Sequence, residues 1–336
     1  MSRGFHARTD QEIESLADAA EAAGMCIDAS GNPRLAKLLA RRAKKGLYVE
    51  AYPTAYVRAE TWKCLTYCER ARMVVMTVAR RHPNWVFCLE SAAVFHGLQV
   101  SRVNWAVIHV LAKKGDHTKD TAHVIHHVLL DTRTIEIDGV HATTLWQTTV
   151  SYLAERDFAH GLAVADSALK LTGAQVPDLY AHIDAELSDE ASRVIARATA
   201  QWSDPKSDNG GESYARGIML NLGFERPELQ VHFTDPADPS VDYYADFLWH
   251  VKGGVIVAEM DGKGKYLDER MTAGKGAFEV MQDERIRESR ITFQCKGIIR
   301  FRFREVDDPD GFRGMLLAYG IPMRGQIGTA GTLSAA

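Results

Sequence analysis

Three acidic residues in two neighbouring apolar segments could together hold a divalent metal ion: Asp246, Glu259 and Asp261. The two segments are joined by Gly253 and Gly254, a spacing that predicts an antiparallel β-hairpin. Asp246 then lies on the first strand, beside the end of the second strand. Because side chains alternate along a strand, Glu259 and Asp261 share one face of the second strand. The sequence therefore predicts a cluster of carboxylates at one end of the hairpin.

The chemistry expected of this cluster is metal-assisted phosphodiester hydrolysis. Burying ionised carboxylates together is unfavourable unless a cation or hydrogen bonds compensate. Oxygen ligands of this kind suit Mg²⁺ or Mn²⁺, which would polarise a phosphate and activate a water. We therefore expect Asp246, Glu259 and Asp261 as metal ligands. The alternative is that residues 259–262 are a strand running into an ordinary Asp-Gly turn.

Further residues near the cluster are candidates for supporting roles. Glu212 opens a predicted helix and could reach the ion directly or through a water. Lys263 and Lys265 follow the acidic residues and could supply positive charge near the phosphate.

The surrounding segments predict the elements that must position these side chains. A helix is expected over residues 211–224 and strands near 229–233, up to 249, and from 255. Residues 203–211 are rich in Ser, Asp and Gly and predict a linker or an exposed turn, so the C-terminal domain would span 212–320. Residues 321–336 have few large apolar side chains and predict a flexible tail.

The segment 212–305 resembles the PD-(D/E)xK nuclease superfamily, in particular the branch similar to very-short-patch-repair (Vsr-like) endonucleases. The matching positions are collinear: Glu212; Asp246-Phe247-Leu248-Trp249; Val257-Ala258-Glu259-Met260-Asp261-Gly262-Lys263-Gly264-Lys265-Tyr266; Asp283-Glu284-Arg285-Ile286-Arg287; and Gly297-Ile298-Ile299-Arg300-Phe301. The resemblance implies a restriction-endonuclease-like core, in which a mixed central sheet is flanked by helices, and Mg²⁺-dependent cleavage of DNA.

One position departs from the superfamily pattern. The usual lysine, two residues after the second acid, is replaced by Asp261. Related proteins with Glu-x-Asp share this feature, and Lys265 stands where they often have histidine. On the nuclease hypothesis Lys265 acts near the phosphate, and the DNA backbone is contacted by four further basic residues: Lys263, Arg285, Arg287 and Arg300.

The N-terminal region predicts a second DNA-binding element. Helices over residues 9–24 and 33–44 and a hairpin over 47–59 are compatible with a small winged helix-turn-helix domain spanning 1–60. A mixed α/β domain is expected over 61–202. The fold class predicted for the whole chain is α/β (α+β). The second helix is basic, and its DNA-contacting candidates are Arg41, Arg42, Lys44 and Lys45.

Residues 33–172 also resemble the antitoxins of AbiE-type toxin–antitoxin systems, the AbiEi family, which carry a winged helix followed by a mixed domain. The matching positions lie in the basic helix and hairpin through 46–49, in 88–98, in 138–144 and in 165–169. This resemblance implies DNA binding or contact with a toxin partner.

Other polar residues in the middle of the chain favour structural roles. His123 and His127 share one strand face while His126 opposes them, which argues against a common metal ion. Glu90, Ser91 and His96 lack the nucleophile elbow of a hydrolase, so Ser91 is interpreted as the start of a packed helix.

Composition limits the function classes. The 336 residues are 46% hydrophobic and 25% charged, and the net charge is −4, so DNA contact would depend on local basic patches. The five cysteines have no zinc-binding spacing and are expected to be reduced. The sequence has no apolar run typical of a membrane span and no signal-peptide pattern at its start, which predicts a cytoplasmic protein without a membrane partner.

Three functions remain open from the sequence. The first is a metal-dependent DNA endonuclease, in phage defence or DNA repair, with an N-terminal DNA-binding region. The second is an antitoxin-like regulator that binds DNA or a toxin, with an inactive nuclease fold. The third is a scaffold that does not bind nucleic acid. Because cutting both strands of a duplex normally requires two active sites, a homodimer is a further expectation.

Overall fold

The structure, a computed structural model, describes residues 2–100, 106–113, 115, 118–128, 132–261 and 277–324. Helices and mixed sheets make it an α+β protein. The chain divides into two compact units, Met1–Thr148 and Thr149–Ala336. Within the described ranges, no helix is long and apolar enough to cross a membrane.

The first unit begins with a helix–strand–helix–hairpin arrangement. Its elements are α1 (Ser2–Ala22), β1 (Ile27–Asp28), α2 (Pro33–Lys44), β2 (Tyr48–Tyr52) and β3 (Ala55–Arg58). The strands form a sheet in the order β1-β3-β2. Asn32 caps α2 by accepting a hydrogen bond from the backbone N–H of Leu35, and Pro33 occupies the first turn, where its missing N–H costs nothing. The prediction of α2 and the hairpin is confirmed.

The rest of the first unit is a small mixed domain. Its helices are α3 (Ala59–Cys64), α4 (Tyr67–Arg81) and α5 (Leu89–Ala93), and α6 (Leu145–Glu155) begins at its end. Its strands are β4 (Val86–Phe87), β5 (Ile108–Leu111), β6 (Val124–His127), β7 (Thr134–Ile137) and β8 (Val140–Thr143). They form a five-stranded sheet in the order β6-β5-β4-β8-β7.

The second unit consists of a helical segment followed by a sheet with helices. After α6 come α7 (Phe158–Thr172), α8 (Val176–Glu186), α9 (Glu190–Ala200) and α10 (Gly210–Asn221). The strands are β9 (Glu228–Thr234), β10 (Asp242–Val251), β11 (Gly254–Met260) and β12 (Gly297–Phe301). The remaining helices are α11 (Ala277–Thr292), α12 (Phe303–Val306) and α13 (Pro309–Tyr319).

The four-stranded sheet of this unit has helices on both faces. Its order is β12-β11-β10-β9; β11 runs antiparallel to β10 and parallel to β12. On one face, Ile256 and Ala258 of β11 pack with α10, α12 and α13 in one apolar cluster. On the other face, Val257 packs with Ile291 of α11. This alternation confirms the predicted faces of β11.

The unit boundary differs from the predicted domain boundaries at 60/61 and 202/212. In the first unit the backbone N–H of Cys26 donates to Thr77, so residues on both sides of position 60 are in contact within one compact unit. In the second unit Arg216 of α10 forms a fully buried ion pair with Asp166 of α7. Residues 203–211 are therefore a packed connection within one unit and not a linker between domains.

The predicted tail also begins too early. Ile321 is only 3% exposed and joins the apolar cluster beneath the sheet. The backbone N–H of Arg324 donates to the carbonyl of Gly223. Residues 321–324 are therefore part of the second unit, and the remainder of the predicted tail, 325–336, lies outside the described residues.

A close contact between α7 and α10 gives the first testable prediction. A Cβ atom added at Gly217 would lie 2.6 Å from the Cα atom of Ala159, a backbone atom that cannot easily move away. We expect Gly217→Ala to lower the free energy of unfolding by about 1–3 kcal/mol, as overpacking does. Urea unfolding measures this free energy.

The matched control is Gly314→Ala in α13, where nothing lies within 4 Å of the added atom and the change should be neutral or stabilising. Equal effects of the two substitutions would contradict the prediction.

Candidate active site

The N-terminus of α10 fixes the position of Glu212. Asn209 caps this helix, and its side-chain oxygen accepts hydrogen bonds from the backbone N–H groups of Gly211 and Glu212. The carboxylate of Glu212 accepts from the Asp208 backbone at 2.8 Å and from the Asn209 amide at 2.6 Å. Glu212 is 5% exposed. A buried carboxylate thus lies at a helix N-terminus, where negative charge is favoured.

The hairpin of β10 and β11 fixes Asp246. Phe247 pairs with Ala258, so the register carried one residue further brings Asp246 opposite Glu259. One carboxylate oxygen of Asp246 accepts a hydrogen bond from the backbone N–H of Met260 at 2.8 Å. This geometry places Asp246 opposite Glu259 at the end of the hairpin away from its turn.

Gln230 of β9 connects Asp246 to Glu212. Its side-chain amide nitrogen lies 3.1 Å from Oε2 of Glu212 and 3.3 Å from Oδ1 of Asp246. No sequence pattern singles out this residue, because an isolated glutamine on a strand has no distinctive spacing. Three elements, α10, β9 and β10, therefore contribute one side chain each to this half of the site.

Glu259 is held by two arginines. It is 6% exposed, and its Oε2 atom accepts a hydrogen bond from Arg287 of α11 and lies 3.5 Å from Arg300 of β12. Its other oxygen, Oε1, is buried and has no hydrogen-bond partner within the described part of the chain. Such an atom is costly to bury and marks a place where a cation or a water would be stabilising.

Asp261 follows directly after β11 and shares Arg300 with Glu259. The guanidinium of Arg300 donates to Oδ1 of Asp261 at 2.8 and 3.2 Å. The backbone N–H of Asp261 donates to the carbonyl of Phe301, which extends the pairing of β11 with β12. Glu259 and Asp261 therefore form a second half of the site, neutralised by arginine.

Burial and mutual repulsion raise the pKa of two of these acids. Desolvation, followed by the charge of Asp246, raises the pKa of Glu212 to about 7. Desolvation also raises the pKa of Glu259, although Arg287 and Arg300 oppose that rise. The chemical consequence is that Glu212 can hold or release a proton near neutral pH.

The raised pKa of Glu212 predicts a pH-dependent stability. Between its ordinary value of 4.5 and about 7, the folded protein keeps a proton that the unfolded chain releases, so the free energy of unfolding falls as the pH rises through this window. At about 1.4 kcal/mol per pKa unit, this loss is on the order of 3 kcal/mol. Glu212→Gln removes the titrating group. Its stability relative to wild type should therefore increase between pH 4.5 and pH 7, as measured by urea unfolding without divalent ions. A difference independent of pH would show that Glu212 does not titrate in this window.

The predicted site residues are only partly brought together. Gln230 contacts both Glu212 and Asp246, and Arg300 contacts both Glu259 and Asp261. Arg287 and Arg300, predicted as DNA contacts, point at the acids instead, while Arg285 of α11 is exposed. Lys263 and Lys265 lie outside the described residues.

The chemistry of the candidate ligands suits a hard divalent cation. All candidate ligands are carboxylate oxygens, and the unpartnered Oε1 of Glu259 is a specific place for one bond to an ion. Within the described ranges, however, no three acidic, histidine or cysteine side chains are already gathered around one point. Because Arg287 and Arg300 hold Glu259 and Asp261, loading an ion would require at least one of these ion pairs to open.

A basic stripe, defined as Arg34, Lys37, Arg41 and Lys44, lies on α2. These residues recur every three or four positions and therefore share one helix face, and all are exposed. Lys45, just beyond the helix, is also exposed. Arg34 and Lys37 were not among the predicted DNA-contacting residues, although they belong to the same basic run in the sequence.

Arg42 is placed differently from the rest of the predicted basic cluster. It is half-buried and forms an ion pair with Asp10 of α1. This geometry favours a role in holding α1 against α2 over a role in DNA contact.

The histidines of β5 and β6 form a hydrogen-bonded pair. Nδ1 of His109 lies 2.9 Å from Nε2 of His127, and Nε2 of His109 lies 3.3 Å from Glu90. Ser91 accepts a hydrogen bond from the backbone N–H of His109, which supports its interpretation as a packed residue. Glu90 and His127 contact different nitrogens of His109, an arrangement that differs from three ligands around one ion.

Comparison with known proteins gives distant similarity alone. No protein-family model matches the chain. The chain is 28% identical over 145 residues to the uncharacterized proteins MT2308 and Rv2248 of two Mycobacterium tuberculosis strains. The match covers 43% of this chain and 52% of each relative, so the chain spans about half the length of the curated relatives it matches.

Proposed function

We propose that this protein is a metal-dependent DNA endonuclease whose catalytic centre lies in the second unit. The observation that carries the proposal is that Gln230 links Glu212 to Asp246, while Glu259, opposite Asp246 in the hairpin, has one buried oxygen unpartnered within the described residues. Clustering of buried acids is unfavourable without a compensating cation, so a site of this kind is more typical of metal binding than of structural support.

The topology of the second unit supports a restriction-endonuclease-like core. A helix precedes three antiparallel strands, and a second helix leads to a fourth strand parallel to the third. The sheet is mixed and has α10 and α11 on opposite faces. This is the kind of core that the resemblance to PD-(D/E)xK nucleases implies.

Each residue of the site has a role that its position supports. Asp246, Glu259 and Asp261 would hold Mg²⁺ or Mn²⁺, which when bound supplies charge stabilisation at the phosphate and a more acidic water. Glu212 holds or accepts a proton at its carboxylate because its pKa is raised to about 7. Arg287 and Arg300 hold Glu259 and Asp261 in place through ion pairs. When a metal ion replaces the arginines as the partner of these carboxylates, the guanidinium groups could face the DNA backbone. Lys265 remains a candidate for supplying positive charge near the phosphate.

The direct test is incubation of the purified full chain with supercoiled plasmid. We expect conversion to the nicked or linear form with Mg²⁺ or Mn²⁺ and none with EDTA. Failure to cut with any divalent ion, on duplex or single-stranded DNA, would argue against the endonuclease.

A second candidate function is an antitoxin-like regulator that binds DNA or a toxin without cleaving. The ion pairs of Arg287 with Glu259 and of Arg300 with Asp261 specifically favour it, because they neutralise acids that a nuclease would use for metal. The order of elements from α1 to β3, with β1 joining the hairpin sheet, supports a winged helix for DNA contact.

The basic stripe of α2 gives a prediction for DNA binding in either function. We expect the double variant Arg41→Ala/Lys44→Ala to bind a random-sequence duplex more weakly and to lower the slope of log affinity against log salt by about two. Fluorescence anisotropy over a salt series measures both. The control is Lys206→Ala, an exposed lysine outside the stripe. An unchanged slope in the double variant would exclude the stripe from the DNA contact.

A further inference from the structure

Gln230 has a backbone conformation that its position in a strand does not explain. Its φ is +49°, in the left-handed region that residues other than glycine rarely adopt. On either side of it, Val231 pairs with Ala245 and Leu229 pairs with Phe247 in the ladder between β9 and β10. Strain of this kind at one residue inside a regular strand persists only when its surroundings favour it, and it is concentrated at functional sites.

The side chain of Gln230 is directed at both acids of one half of the site. The same amide nitrogen lies 3.1 Å from Glu212 and 3.3 Å from Asp246, two carboxylates that come from different elements. An amide –NH₂ group has two hydrogens, so it can donate one to each carboxylate at once. This is an uncommon match, since almost any other uncharged side chain offers one donor or none.

We propose that Gln230 is a positioning residue of this site, which holds the carboxylates of Glu212 and Asp246 together so that Asp246 is oriented as a ligand of the divalent cation and Glu212 lies beside it. The inference rests on the proposed function. Gln230 would act through the two carboxylates and would not itself be a ligand.

The two halves of the site differ in a way that supports this role. Glu259 and Asp261 are held by the positive charges of Arg287 and Arg300. Gln230, which joins Glu212 and Asp246, is instead a neutral donor. A neutral donor can hold two carboxylates close together without itself adding a positive charge that would compete with a cation.

The test measures Mn²⁺ binding to the full chain by isothermal titration calorimetry. Gln230→Met keeps the length of the side chain and removes its donors. Gln230→Gly removes the side chain and permits the left-handed backbone. We expect both variants to bind Mn²⁺ about 10- to 100-fold more weakly than wild type, the usual effect of losing a residue that orients metal ligands. Gln294→Met is the matched control, because the Gln294 amide donates to the carbonyls of Thr234 and Arg290 and, among the described residues, to no carboxylate; it should bind like wild type.

The outcomes separate this proposal from the proposed function. Thermal unfolding is measured for each variant, and Gln230→Gly should be at least as stable as Gln230→Met because it relieves the backbone strain. If wild type binds Mn²⁺ and Gln230→Met or Gln230→Gly binds equally well, the positioning role is wrong while the metal site stands. If wild type itself binds no Mn²⁺, the proposed function and this inference fall together.

Discussion

Asp246→Asn is expected to reduce the plasmid-nicking rate of the wild-type protein by at least about 100-fold, as changes to metal ligands and their partners do. Asparagine keeps a side-chain oxygen that can still accept the hydrogen bond from Met260, so the hairpin should fold normally. It loses the negative charge opposite Glu259, which is the property a divalent cation needs. The rate is measured as loss of supercoiled plasmid with saturating Mg²⁺ or Mn²⁺.

The control for this variant is Asp242→Asn, on the same strand. Asp242 is exposed and contacts His232, away from the acidic cluster. It should cut at the wild-type rate. Nicking by Asp246→Asn at the rate of Asp242→Asn would mean that the catalytic centre lies elsewhere or that the activity comes from a contaminant.

Arg216→Met is expected to cost about 3–5 kcal/mol of stability, the largest stability effect we predict. The side chain of Arg216 is fully buried and that of Asp166 is 3% exposed, and Arg216 also donates to the carbonyl of Trp202 at 2.7 Å. Removing the guanidinium leaves Asp166 buried without its counter-charge. This ion pair links α7 to α10, the helix that carries Glu212. Loss of the ion pair should therefore also disturb the position of Glu212 in the candidate active site. Urea unfolding measures the free energy.

Two further variants test whether the unpaired charge of Asp166 causes the loss of stability in Arg216→Met. Asp166→Leu/Arg216→Met removes both charges and should recover a substantial part of the stability, since apolar replacements of a buried pair are often tolerated. Arg193→Met removes one partner of an exposed pair with Glu190 and should cost less than about 1 kcal/mol. An Arg216→Met variant as stable as Arg193→Met would contradict the account of the buried pair.

The local elements of the fold were largely predictable from the sequence. The helix over residues 33–44 begins at Pro33 and has an apolar stripe, and its bounds in the structure agree with the prediction. The alternation of residues 255–260 correctly divided the two faces of β11. These features depend on neighbours in the sequence, which is why pattern and capping rules reach them.

The features that failed depend on contacts between distant residues. The polar composition of 203–211 indicated a linker, but the buried pair of Asp166 and Arg216 joins the segments on either side of it. Arg287 was predicted from the sequence to contact the DNA backbone, and its pairing with Glu259, 28 residues away in sequence, was not foreseen. Gln230 could not be found because its role depends on two acids brought near it by folding.

The most direct test of the proposed metal centre is a crystal of the full chain soaked in Mn²⁺, with anomalous scattering measured near the manganese edge. We expect an anomalous peak within bonding distance of Asp246 and Glu259, with Arg287 or Arg300 moved away from its carboxylate. It would be contradicted by Mn²⁺ peaks only elsewhere on the surface, with both arginines still paired to Glu259 and Asp261.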